Sequence, residues 1–284
     1  MEKVNKTCYI INFYLGDRRK TIPQFNNDRL LFLKQQISTL YKYPHSLSKI
    51  IFNFNIRKED YKYVSKIFQL VPKFIQGAEV EVNFRENFGM SYTAWSEIFN
   101  RHKTKYDYYI FNEDDYFFVE DNWDTYLVNK YNSYPDCGYL CPIMREPHHW
   151  NQYRKHAGHS TGIASTNNIL KLKNGLASTS KQDYKSAEEI QKEFSFSFIE
   201  IGLNVYDVRD DYRVAFGWTE DDNDIWRFFW WNEKDLIQPA FLLFNKDYNY
   251  FELIEGECIK EHEPTTVNEA LDCYNNKFTY YGES

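Results

Sequence analysis

The chain has 284 residues, 43% of them hydrophobic and 26% charged, which suffices for one large α/β domain or for two smaller units. The formal net charge of −7 leaves no broad basic surface, so we expect no nucleic-acid partner. The longest apolar run spans residues 240–244, whereas a membrane helix needs about 20 such residues. We therefore expect a cytoplasmic protein without a membrane span.

The cysteine pattern indicates reduced thiols. The five cysteines are odd in number, scattered, and never spaced as CxxC, which is typical neither of a zinc site nor of a disulfide framework. We expect these residues to lie in the core as free thiols: Cys8, Cys137, Cys141, Cys258 and Cys273.

The first half of the chain alternates strand-like and helix-like segments, the pattern of parallel βαβ units. The predicted strands are Thr7–Tyr14 and residues 49–54, 80–84 and 107–112. The predicted helices are one on Leu30, Leu33, Ile37 and Leu40 behind Asp28, one over 60–70, and one over 92–102 capped by Ser91. Apolar Trp95, Ile98 and Phe99 are expected on the inner face of the third helix.

The second half is less regular. It is predicted to contain a helix over 123–131, a strand over 138–143, a polar and His-rich stretch over 145–160, a helix over 186–193, an apolar segment over 194–199 and a strand over 204–208. Together the two halves predict an α/β fold, with a mostly parallel, Rossmann-like sheet flanked by helices.

Three consecutive carboxylates, Glu113, Asp114 and Asp115, follow the fourth predicted strand. Ligands of open α/β sheets bind beyond the carboxyl ends of the parallel strands, where this triplet lies. Grouped carboxylate oxygens suit Mg²⁺ or Mn²⁺, and such a cation bridges phosphates. Alternation along the strand directs Glu113 and Asp115 to one side and Asp114 to the other. The structural alternative is a solvated acidic turn.

The order of these segments, with residues 85–91 and 110–115, resembles the nucleotide-sugar-binding half of GT-A class glycosyltransferases, whose acidic signature is the DxD motif. The order covers residues 7–143. The resemblance implies a GT-A fold, with a nucleotide-sugar-binding half over 1–143 and a C-terminal acceptor-side, catalytic half over 144–284.

The same resemblance implies roles for the residues at the strand ends. Asp115 would coordinate the metal, Asp114 would assist, and Glu113 would lie toward the ribose or the metal. The ends of the first three strands would surround the nucleotide, near Tyr14, Asn53 and Arg85.

A second stretch, residues 188–195 with the segment through 208, resembles the acidic helix start of inverting members of the class. An inverting transfer needs a base that takes the proton of the acceptor hydroxyl. The resemblance implies Glu189 as this base, with Glu188 and Glu193 as alternatives. The usual Glu-Asp pair and the Arg one turn later are missing here, and an exposed charged helix face remains the alternative.

Two further features resemble parts of the class. The small-residue stretch 156–165 resembles the donor-sugar loop, which implies sugar contacts at Ser160, Thr161 and Gly162. His262 stands where some members use an additional metal ligand, and the acidic run 218–224 is a rival metal site.

These features lead to one function and two alternatives. The leading hypothesis is transfer of a sugar from a UDP- or GDP-sugar to a glycan hydroxyl, with Mn²⁺ or Mg²⁺ and with inversion. A sugar nucleotidyltransferase is the enzymatic alternative, since residues 15–19 resemble its phosphate loop without the Gly-rich run. A non-catalytic, cation-dependent carbohydrate-binding module is the third.

Overall fold

The computed structural model describes residues 5–16, 25, 27–142, 144–145, 156–157, 161–178, 184–208 and 236–239. The strands in this part of the chain are β1 (Thr7–Tyr14), β2 (Lys49–Ile56), β3 (Phe74–Ile75), β4 (Ala78–Glu86), β5 (Tyr108–Glu113), β6 (Tyr116–Phe118), β7 (Cys137–Cys141), β8 (Met144–Arg145), β9 (His156–Ala157), β10 (Gly162–Ser165), β11 (Asn204–Asp207) and β12 (Ile237–Pro239). The helices are α1 (Leu31–Lys42), α2 (Val64–Leu70), α3 (Met90–His102), α4 (Trp123–Ser133), α5 (Thr166–Ile169) and α6 (Tyr184–Ile199). Two 3₁₀ turns span Lys58–Tyr63 and Lys103–Lys105.

Eight of these strands form one sheet in the order β11-β7-β10-β5-β1-β2-β4-β3. β1 pairs in parallel with both β2 and β5, β2 pairs in parallel with β4, and β11 pairs in parallel with β7. β10 is antiparallel to β5 and β7, and β3 is antiparallel to β4. The predicted mostly parallel, Rossmann-like α/β sheet flanked by helices is confirmed.

The helices cover both faces of the sheet, which is why its central strands are apolar almost throughout. Alternate β1 side chains enter two separate cores, Tyr9 and Phe13 on one face and Cys8 and Ile10 on the other. Helices α1, α2 and α4 contribute to the first core, and α3 and α6 to the second. Helix α6 therefore lies on the same face of the sheet as α3.

Two local predictions at helix ends were wrong. Ser91 does not cap α3, because this helix starts at Met90, two residues before the predicted start, and its N-cap residue is Gly89 in the left-handed conformation with φ 68°. The Ser91 hydroxyl instead donates to Glu113. The segment 194–199 is not separate from the preceding helix, because Ile190, Phe194 and Phe198 share one buried stripe of α6 at a spacing of four residues.

The stretch of small residues was predicted as a loop, and this is corrected for residues 162–165, which form β10 inside the sheet. Gly162 is needed there, since a Cβ atom would collide with the Leu140 carbonyl and the Tyr139 ring. Strands from both sides of residue 143 share the sheet. The functional division into 1–143 and 144–284 stays a prediction.

The free thiols are confirmed for the three cysteines in the described residues, Cys8, Cys137 and Cys141, all of which are buried. Cys258 and Cys273 lie outside that part of the chain. None of the helices in the described ranges is long and apolar enough to cross a membrane.

Acid is expected to weaken the fold through His45, in the segment that leads into β2. Burial lowers the pKa of His45 from 6.5 to about 4. Between these values the unfolded chain binds a proton that the native chain does not, so stability falls as the pH falls. The free energy of unfolding should drop by on the order of 2–3 kcal/mol between pH 7 and about pH 4.5, as measured by urea denaturation.

The His45→Phe variant should lose this component, because a phenyl ring does not titrate. The substitution removes no hydrogen bond, since neither ring nitrogen of His45 has a partner within the described residues. An equal drop in the variant and the original chain would assign the acid sensitivity to other groups.

Candidate functional site

The order of the sheet defines one crevice at its carboxyl edge. The chain proceeds from β1 through β2 to β4 on one side and then returns to β5 on the other side of β1. In open α/β sheets, ligands bind where the strand order reverses in this way. The carboxyl ends of β1 and β5 carry Tyr14 and the acidic triplet, so the triplet lies at the reversal point.

Asp114 ties these two strand ends together. Its backbone N–H donates to the Asn12 carbonyl at 3.0 Å, and its Oδ2 accepts the Tyr14 backbone N–H at 3.0 Å. The Gln36 amide of α1 also donates to the Asp114 carbonyl at 3.1 Å. Asp114 is only 3% exposed. We therefore assign its Oδ2 to the framework of the site, and the predicted part of Asp114 in metal binding stays a prediction.

Glu113 and Asp115 are both half-buried and flank this anchor. One oxygen of Glu113, Oε1, accepts the Ser91 hydroxyl of α3 at 2.7 Å. Asp115 lies in the turn between β5 and β6. The exposure of the triplet thus alternates as predicted, with Asp114 buried and its two neighbours partly open to solvent.

A row of asparagines holds the strands beneath the site in register. Asn83 donates to Asn53 at 2.6 Å, and Asn53 donates to Asn12 at 2.6 Å. The row continues at both ends, from Arg101 into Asn83 and from Asn12 to the Ser91 carbonyl. Asn53 is 0% exposed. The Asn53 amide is paired with both neighbouring strands, and the place of this strand end near the nucleotide stays a prediction.

Thr161 is hydrogen-bonded to the carboxyl end of β5. Its hydroxyl donates to Asn112 at 3.1 Å and accepts the Glu113 backbone N–H at 3.4 Å. Asn112 in turn donates to the Tyr9 hydroxyl at 2.6 Å. Thr161 is fully buried, and Gly162 is packed inside the sheet. Both residues lie next to the triplet, but the contacts of Thr161 are with protein groups.

Arg85 is also held by protein groups. Its guanidinium makes a two-pronged ion pair with Glu97 of α3, at 2.7 and 2.9 Å. A third nitrogen, Nη1, donates to Asn55 at 2.6 Å and to the Phe88 carbonyl at 2.9 Å. Arg85 is buried and makes these contacts with protein groups, and its place near the nucleotide stays a prediction. Tyr14 is half-buried, with the Arg57 guanidinium 5.6 Å from the centre of its ring.

The candidate bases lie on the exposed side of α6. Glu189 and Glu193 are both exposed and one turn apart, beside the buried stripe of that helix. The side chain of Glu188 lies outside the described residues, as do Ser160, His262 and the acidic run 218–224.

No three His, Cys, Asp or Glu side chains in the described ranges are grouped closely enough to hold a metal ion. Glu113 and Asp115 remain as a pair of partly exposed carboxylates. Mg²⁺ is usually bound by one or two carboxylates together with substrate phosphates rather than by a complete protein cage. Binding of a cation by these two carboxylates together with a phosphorylated ligand stays a prediction.

Sequence reasoning missed the partners that position the triplet, namely Asn12, Gln36, Ser91 and Asn112. A signal for one group was present, since three of the first four strands of the sheet carry an asparagine shortly before their carboxyl ends. A polar amide at an otherwise apolar strand position indicates a buried hydrogen-bonded row.

Substitution of Asp114 is expected to lower the stability of the fold, whereas substitution of Asp115 is expected to leave it nearly unchanged. Asp114→Ala leaves the Tyr14 N–H without its charged acceptor, so the free energy of unfolding should fall by about 1.5–3 kcal/mol in urea denaturation. Asp115→Ala is the matched control and should change it by no more than about 0.5 kcal/mol. Equal losses in both variants would make Asp115 part of the framework as well.

Comparison with known proteins leaves the activity open. No protein-family model and no curated protein matches the chain. Among solved structures, it is similar to a cytidylyltransferase from Leptospira borgpetersenii serovar Hardjo-bovis, with 13% identity over 74% of this chain and 79% of that one and a TM-score of 0.44. It is also similar to a CMP:2-keto-3-deoxy-manno-octonic acid synthetase complexed with CTP, with 13% identity over 74% and 90% and a TM-score of 0.39. Likeness of this degree assigns no activity to the chain.

Proposed function

We propose that the chain is a metal-dependent glycosyltransferase that uses a UDP- or GDP-sugar, with Mn²⁺ or Mg²⁺, and a glycan hydroxyl as acceptor. The observation that carries the proposal is the pair of partly exposed carboxylates, Glu113 and Asp115, held at the strand-order reversal by the buried Asp114. Carboxylates grouped beyond the carboxyl ends of parallel strands are suited to bind a cation together with a phosphorylated ligand.

Charge supports a phosphorylated ligand that brings a cation with it. The chain is acidic overall, so a diphosphate needs local neutralisation at its binding site. When bound, the cation would supply neutralisation of the charge that develops on the departing nucleoside diphosphate. In sequence, the basic residues Arg18, Arg19 and Lys20 begin four positions after the last residue of β1, which adds positive charge to this segment of the chain.

The residues around the pair have separate tasks in this proposal. Ser91 orients the Glu113 carboxylate through the hydrogen bond to Oε1. The base that takes the acceptor proton is Glu189, with Glu188 and Glu193 as alternatives. Support for a base on α6 is its packing on the same sheet face as α3, which supplies Ser91. Inversion follows if the base and the diphosphate lie on opposite sides of the sugar.

A sugar nucleotidyltransferase is the second candidate. It is favoured by Gly16, two residues beyond β1, where a Cβ atom would require the hydroxyl end of the Tyr14 ring to move. This glycine lies in the segment 15–19 that resembles a phosphate loop, and backbone close to a phosphate is a usual reason for glycine. In that reaction a nucleoside triphosphate and a sugar phosphate would give a nucleotide-sugar and pyrophosphate.

Calorimetric titration of UDP and GDP, with and without Mn²⁺, tests the proposal. We expect one of the two nucleotides to bind only with Mn²⁺, and Asp115→Asn and Glu113→Gln each to weaken binding by at least about tenfold, the usual effect of losing support for a metal. The control is Glu200→Gln, an exposed carboxylate just beyond α6, which should leave binding unchanged.

The outcomes distinguish the candidates. Release of pyrophosphate from a nucleoside triphosphate and a sugar 1-phosphate, without turnover of UDP- or GDP-sugars, would select nucleotidyl transfer. Failure of every nucleotide to bind, with glycan binding that depends on the cation, would leave the carbohydrate-binding module and overturn the proposal.

A further inference from the structure

An aromatic ring stands at the carboxyl edge of the sheet with one face covered and the side chain partly open. Phe88, in the turn between β4 and α3, is 39% exposed. The Arg85 guanidinium lies over its ring, 4.2 Å from the ring centre. A ring covered by a cation on one face can still stack a flat ligand on the other.

The Arg85 guanidinium is held in its position against the Phe88 ring by other protein groups. Arg85 is buried and is fixed by the two-pronged ion pair with Glu97 and by the hydrogen bond to Asn55. It also donates to the Phe88 carbonyl at 2.9 Å, so the same side chain holds both the backbone and the ring of Phe88. The ring is therefore pre-organised, and a ligand that stacks on it has little ordering cost to overcome.

The turn itself is fixed by backbone contacts. The Asn87 N–H donates to the Ile56 carbonyl and the Phe88 N–H to the Glu86 carbonyl, both at 3.0 Å. Gly89 and Met90 follow in the left-handed region, with φ 68° and 58°. For Met90 this conformation is uncommon, and such outliers persist where the surroundings impose them. The turn thus holds Phe88 at the edge of the sheet.

The position of the ring relates it to the acidic pair. Neighbouring strands are about 4.8 Å apart, so β4 lies about 10 Å from β1 and about 15 Å from β5 along the same edge. Arg85 is in register with Asn55, and Asn55 with Tyr14, so the strand end that carries the turn is level with the end of β1. A nucleotide with its phosphates at Asp115 can extend along this edge toward Phe88.

We propose that Phe88, backed by Arg85, is the stacking surface for the nucleobase. The inference rests on the nucleotide-binding step of the proposed function. Every base has a π face, so a stacking surface of this kind strengthens binding of purine and pyrimidine nucleotides alike. The choice between UDP and GDP is then made by other contacts, and Phe88 sets the strength with which either one is held.

The test is a calorimetric comparison of ligands with and without a base. UDP, GDP and inorganic pyrophosphate are titrated with Mn²⁺ into the full chain and into Phe88→Leu. Loss of the ring should weaken the binding nucleotide by about tenfold, a typical effect of removing one aromatic stacking partner. Binding of pyrophosphate, which has no base, should not change.

Phe74→Leu is the matched control. Phe74 is also an exposed ring with a cation near it, being 53% exposed with the Lys73 ammonium 5.8 Å from its centre. It lies on the short edge strand β3, away from the carboxyl ends, and its loss should leave all three ligands unaffected. Phe88→Trp keeps a ring at the site and should preserve the affinity, with extra tryptophan fluorescence that the nucleotide quenches.

Each result has a distinct meaning. Equal weakening of nucleotide and pyrophosphate in Phe88→Leu, or no weakening of either, overturns the stacking proposal while the proposed function stands. If Phe88→Leu fails to fold, absence of nucleotide-dependent quenching in Phe88→Trp overturns the stacking proposal instead. Failure of the unaltered chain to bind any nucleotide overturns the proposed function itself.

Discussion

The hydrogen bond from the Tyr14 backbone N–H to the Asp114 carboxylate is the contact on which the candidate site depends. It joins the ends of β1 and β5, which are adjacent in the sheet but a hundred positions apart in the chain. A buried carboxylate is unfavourable unless it is well paired, and here its partner is a backbone group of the neighbouring strand end. The arrangement fixes where Glu113 and Asp115 stand relative to the end of β1.

The side chains at this edge divide into those that are buried and those that are partly exposed to solvent. Asn53, Arg85, Asp114 and Thr161 are buried, and their described contacts are with other protein groups. Glu113, Asp115 and Phe88 keep part of their surface open. Rigid support beneath a few exposed groups is what a binding site needs to hold its contacts within a fraction of an ångström. Polarity in the sequence therefore does not by itself distinguish the buried supporting residues from those that are exposed at the site.

The sequence predicted the sheet and most helices because hydrophobic periodicity is a local property. Thr7–Tyr14 and the stripe of Trp95, Ile98 and Phe99 were found in this way. β10 was missed because a four-residue strand with three small residues shows no clear strand period, and its pairing is set by strands far along the chain. The role of Asp114 depends on a backbone donor one hundred residues away, which no local pattern specifies.

The amide dipoles in the row of asparagines also share one direction. Arg101 donates to Asn83, which donates to Asn53, and Asn53 donates to Asn12, which donates to the Ser91 carbonyl. All three amide dipoles therefore point the same way, and their fields add in a buried, weakly screening environment. The positive end lies beside Ser91, whose hydroxyl binds the first carboxylate of the triplet. The row directs a positive potential toward an acidic edge without placing a cation there.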